Sequence, residues 1–82
     1  MGKVYVEVIL RQDIQGALTP LSICWEDGHV YEIDRVLDVS ERASLKAGGQ
    51  GRRFTCRIGG RERYLFLDTM ENRWFVEAKE GR

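Results

Sequence analysis

Apolar and polar positions alternate with a period of two along most of this chain, and the alternation restarts wherever glycine, proline or asparagine marks a turn. Val4, Val6, Val8 and Leu10 alternate with Tyr5, Glu7 and Ile9, and the β-branched content of KVYVEVIL predicts a first strand over residues 3–10. Residues 11–19 contain Asp13 and Gly16 and read as a connection. Pro20 then opens the next strand, where a missing amide donor is tolerated.

The stretch from Pro20 to Asp38 is a hairpin whose turn chemistry and apolar spacing agree on one register. Glu26-Asp27-Gly28 suits a three-residue loop with Gly at positive φ. That loop pairs Trp25 with His29, Ile23 with Tyr31 and Leu21 with Ile33, and directly opposite residues share a face. One face therefore collects Leu21, Ile23, Trp25, Tyr31 and Ile33, and the other carries Ser22, Cys24, Val30, Glu32 and Asp34. A two-residue Asp-Gly turn would set Trp25 beside Val30 and scatter the apolar set over both faces, so the three-residue loop is preferred. Val36 and Leu37 fall out of step with Tyr31 and Ile33, which predicts a bulge near Asp34 or Arg35.

Residues 40–47 fit one short helical turn, with Ser40 as N-cap, Glu41 at the positive end and Gly48 as the stop. After the glycine-rich connection 48–51 the strands resume as RRFTCRI, a Gly59-Gly60 pair suited to a type I′ turn, and RERYLFLD. This turn sets Phe54 opposite Leu65 and Cys56 opposite Arg63. A loop over Thr69 to Asn72 leads to a last strand, RWFVEAK, in which Trp74 faces Leu67 and Val76 faces Leu65. Phe54, Cys56, Ile58, Leu65, Leu67, Trp74, Val76 and Ala78 then point inward. About six strands in near-meander order predict an all-β domain spanning residues 1–82, a small, partly open antiparallel barrel of SH3-like type.

Composition changes this picture little. An 82-residue chain holds one domain with a small core. Net charge is zero but unevenly placed: residues 1–42 hold 4 Lys/Arg against 8 Asp/Glu, and residues 43–82 hold 9 against 5. Either acidic strands lie beside basic ones and neutralise them, or a basic face is offered to an anionic partner. There is no secretory leader pattern, no apolar run of membrane-spanning length and no lipidation signal, so a soluble cytoplasmic protein without membrane contact is expected. Cys24 and Cys56 form no CxxC and no cluster with His29, which argues against zinc, and their opposite facing argues against a disulfide.

The same register gives the outer face of the last three strands Arg53, Thr55, Arg57, Glu62, Tyr64, Phe66, Arg73, Phe75 and Glu77, with Phe66 and Phe75 as cross-strand partners. Aromatic rings among guanidinium groups suit a stacking platform for unpaired bases, and equally a peptide groove or a dimer seam. Arg53, Arg57, Tyr64, Phe66, Arg73 and Phe75 are the candidate binding residues. The loop residues Lys46, Gly48, Gly49, Gly51 and Arg52 offer backbone amides and charge that could grip an anion, although the run matches no phosphate-binding motif. His29, the paired Asp34 and Asp38, and the serines Ser22, Ser40 and Ser44 assemble no acid–base pair, triad or metal-ligand set, so neither catalysis nor a cofactor is expected.

The frame Pro20, Trp25, Asp27-Gly28, Tyr31, Ile33, Val36-Leu37-Asp38 and Trp74-Phe75-Val76-Glu77 resembles a group of short, uncharacterised all-β bacterial proteins. More distantly it is similar to a small domain of unknown function appended to translesion-type DNA polymerases in some actinobacteria. The likeness covers roughly residues 18–78 and implies a fold, with no catalytic residue attached. The expected function is a non-enzymatic binding module, working through a protein partner or self-association on that outer face, or alternatively through single-stranded nucleic acid.

Overall fold

The computed structural model describes residues 2–41 and 51–77. Eight strands make up these residues: β1 (Lys3–Tyr5), β2 (Glu7–Gln12), β3 (Leu18–Cys24), β4 (Val30–Glu32), β5 (Arg35–Glu41), β6 (Gly51–Ile58), β7 (Arg61–Asp68) and β8 (Arg73–Glu77). They form a five-stranded sheet, β1-β8-β7-β6-β5, and a three-stranded sheet, β2-β3-β4, antiparallel throughout. The protein is all-β, and the described residues contain no helix.

Eight strands replace the expected six because two of the six bend and serve both sheets. The first strand turns at Val6: its amide still donates to the Trp74 carbonyl of β8 at 3.0 Å, while Glu7, one residue on, is already paired with Cys24 of β3. The second bend lies at Ile33 and Asp34. The Ile33 amide donates to Leu21 of β3 at 2.9 Å, and the Asp34 amide donates to Arg57 of β6 at 2.8 Å. Two bent strands therefore join the walls at opposite corners, and β1 pairs with β8 to close a small barrel.

The hairpin loop is the three-residue one. The Gly28 amide donates to the Trp25 carbonyl at 2.9 Å and the Trp25 amide to the His29 carbonyl at 2.8 Å, with Ile23 opposite Tyr31. Gly59 and Gly60 both adopt positive φ, 58° and 79°, as a type I′ turn demands, and the β6–β7 register follows from it: Ile58 faces Arg61, Cys56 faces Arg63 and Phe54 faces Leu65. Leu67 faces Trp74 across β7 and β8. The core consists of Ile23, Phe54, Cys56, Leu65, Leu67 and Trp74, with Val6, Val8, Leu10, Trp25, Ile33, Val36, Ile58 and Val76 packed against it.

Four expectations need correction. Leu21 does not join the apolar face: β3 carries an extra residue between the partners of Ile9 and Leu10, so a bulge at Leu21 turns its side chain to solvent and puts Pro20 inside. Tyr31 is also exposed, because β4 is a three-residue edge strand, and its ring stacks on His29 at 4.5 Å. The bulge expected at Asp34 or Arg35 is the passage between sheets, and the one-residue bulge lies at Leu37, between the partners of Cys56 and Thr55. Ser40 and Glu41 start no helix: they end β5 opposite Arg53 and Arg52. The rest of that expected turn, and the inward Ala78, lie outside the described residues.

Candidate functional site

The pairing registers assemble one continuous row on the outer face of the five-stranded sheet: Tyr5, Phe75, Phe66, Arg53 and Ser40, each opposite the next. Phe66 and Phe75 stack with centroids 5.1 Å apart and planes 11° from parallel, and Tyr5 meets Phe75 edge-on at 6.1 Å. The two phenylalanines are only 3% and 2% exposed. They cannot act as the open stacking surface expected of them. Thr55 and Asp68 on the same face are buried as well.

Cations cap this aromatic row. The Lys3 ammonium lies 5.0 Å from the Phe75 centroid, the Arg73 guanidinium 3.5 Å from that of Tyr5, and the Arg53 guanidinium 4.3 Å from that of Tyr64. Lys3 also bonds Asp68 Oδ2 at 2.9 Å, while Asp68 Oδ1 accepts from the Met70 and Glu71 amides at 2.9 and 3.1 Å. One carboxylate thus holds both the closing strand and the 69–72 turn. The ammonium of Lys3 and the two turn amides hold the Asp68 carboxyl below the usual carboxylate range, and Asp68 raises Lys3 above the usual lysine value.

Two parts of this face stay open: Tyr64, half-exposed beneath Arg53 with exposed Arg57 and Glu62 beside it, and at the other end exposed Arg73, stacked on Tyr5 and paired with Glu71. Arg35 stands directly opposite Arg57, and neither has a carboxylate within ion-pair distance among the described residues. Among the described residues, Arg53 Nε and Ser40 Oγ are buried without a hydrogen-bond partner. Of the two charge readings, cross-strand neutralisation holds at Arg52, whose Nε bonds Glu41 Oε2 at 2.6 Å; Arg57 stands between Arg35 and Glu62, opposite an acidic residue on one side only and without a closed ion pair among the described residues.

The loop candidates divide. Gly51 and Arg52 are strand residues, opposite Asp68 and Leu67, and a Cβ at Gly51 would collide with the Leu67 carbonyl oxygen. Lys46, Gly48 and Gly49 lie outside the described residues. Asp34 is occupied in structure, its Oδ2 accepting from the Gly59 amide at 3.1 Å. Cys24 and Cys56 are free thiols, and burial pushes Cys56 up to about 11, far from thiolate chemistry at neutral pH. Among the described residues no three His, Cys, Asp or Glu side chains gather as a metal site, and no helix is long and apolar enough to cross a membrane.

Lys3, Tyr5, Arg35 and Asp68 were not singled out in the sequence as residues of this face, and Ser40 was weighed only as a helix cap and a catalytic serine. Asp68 had a signal, since an Asp opening a short polar turn commonly binds the following amides. The burial of the two phenylalanines had one too. Leu65-Phe66-Leu67 and Trp74-Phe75-Val76 are unbroken apolar runs, which read as strands covered on both faces. No protein-family model matches the chain, and neither a curated protein nor a solved structure shows significant similarity to it.

Proposed function

We propose that the chain is a non-enzymatic interaction module that engages a protein partner through the outer face of β6 and β7. The observation that carries this reading is Tyr64, half-exposed with the Arg53 guanidinium stacked on it and exposed Arg57 at its side. Tyrosine and arginine dominate binding energy at protein interfaces, and a ring and guanidinium already held together lose little freedom on binding. The buried, stacked Phe66–Phe75 pair adjoins Tyr64 on the same face. Two free thiols support placing the module in a reducing compartment, the cytoplasm. The likeness to the polymerase-appended domain rests on the residues quoted for it above.

The test is co-purification from a cell extract with tagged wild-type protein and a Tyr64→Ala/Arg57→Glu variant of unchanged melting temperature. A partner held by the wild type and lost by the variant is expected; equal recovery by both would overturn the reading. A second reading, single-stranded nucleic acid, is favoured by the like-charged Arg35–Arg57 pair, whose repulsion a phosphate would relieve. Asp38 and Glu62 share that face, which is why it comes second. Oligonucleotide titration at two salt concentrations decides it, because phosphate contacts must weaken as salt rises.

A further inference from the structure

The two sheets leave four edge strands among the described residues, and they are not equally protected. β1 and β4 have three residues each, too short to template another strand. β5 has seven, but it is bulged at Leu37, carries Asp38 at its centre and has Glu41 tied to Arg52. β2, six residues long, has none of these defences: the irregularity in its pairing falls on β3, at Leu21, and its own run Glu7-Val8-Ile9-Leu10-Arg11 is unbroken. Ile9 at its middle is 49% exposed, with Leu21 and Val30 at 43% and 51% on the same wall.

That run is self-complementary under a two-fold axis. Antiparallel pairing centred on Ile9 places Glu7 opposite Arg11 of the second copy, and Arg11 opposite its Glu7. Val8 then faces Leu10, and Ile9 faces Ile9. Faces agree as well, since Glu7, Ile9 and Arg11 are the outer residues and Val8 and Leu10 pack on the core. A shift of one residue would set outer residues against inner ones and put the two cores on opposite sides. Neither Glu7 nor Arg11 has an ion-pair partner within the protomer among the described residues.

We infer that the chain forms a symmetric dimer in which two β2 edges pair antiparallel about Ile9, joining the three-stranded sheets of two copies into one of six strands. The contact is isologous and closes on itself, so it ends at two copies. It lies apart from Tyr64, Arg53 and Arg57, and its failure leaves the proposed partner face untouched.

Sedimentation velocity over a concentration series tests it. The wild type is expected to dimerise. Glu7→Arg and Arg11→Glu each place like charges opposite one another twice, and each raises the dissociation constant by roughly tenfold or more. The double variant reverses both charges and restores the dimer. Because both side chains are exposed, unchanged melting curves confirm that the single variants fold. A wild type that stays monomeric at every concentration, single variants that dimerise as well as wild type, or a double variant that dissociates as the singles do would each overturn the inference.

Discussion

The two walls of this barrel are built from the same alternating pattern and end up differently covered. In the five-stranded wall, Phe54, Leu65, Leu67 and Trp74 fill the interior while Phe66, Phe75, Thr55 and Asp68 are buried on the outer face of the same strands. In the three-stranded wall, Ile23 and Pro20 are buried inside and Ile9, Leu21 and Val30 stay in water. A small barrel concentrates its packing energy in one wall and leaves the other single-sided. The first holds the fold together, and the second has apolar surface to spend on association.

Substitutions that probe each wall should therefore separate widely. Phe75→Ala is expected to cost about 3–5 kcal/mol, the usual loss for a buried ring, whereas Val30→Ala on the thin wall should stay within about 0.5 kcal/mol. Urea unfolding midpoints measure both, and equal costs would erase the contrast. Gly51→Ala should be intermediate, about 1–3 kcal/mol, because the added methyl must displace the Leu67 backbone of the thick wall. A further effect is pH-dependent and rests on the Lys3–Asp68 pair. The Asp68 carboxyl lies below its ordinary value of 3.8 in the folded protein, so its contribution is present above that value and is lost as pH falls through the lower folded value. Lys3 is raised above 10.5, so its share is present below that value and disappears only as alkali titrates it at the higher folded value. Asp68→Asn should lower the melting temperature at neutral pH and reduce the steepness of acid unfolding, measured by circular dichroism between neutrality and strong acid.

Turn chemistry made the local registers legible. Glu26-Asp27-Gly28 and Gly59-Gly60 each dictate one pairing, and Phe66 opposite Phe75 follows by counting. Period-two alternation also separates the faces of a strand, but it carries no information on what lies against each face. For that reason Arg53, Tyr64 and Phe66 could be placed side by side from the sequence, while the burial of Phe66 and Phe75 could not be read from alternation alone. The bend at Val6, without glycine or proline, was hidden, because Val6 looks like an ordinary strand residue. Val36 and Leu37 falling out of step did mark a bend near Asp34, but not that the chain passes from one sheet to the other there. Leu21 shows the same limit, since a single extra residue in β3 reverses its face without any change in composition.

The pairing of Lys3 with Glu77 also sets an order of assembly. During synthesis β2 to β7 can find their partners among near neighbours, but β1 has nowhere to go until β8 has left the ribosome. The final seam therefore waits for the last strand of the sheet, and it depends on a contact with the longest loop closure in the described chain. Until that moment the ring of Phe75 lacks Tyr5 and Lys3, which makes the interval before closure the period when this protein most needs protection from its own apolar surface.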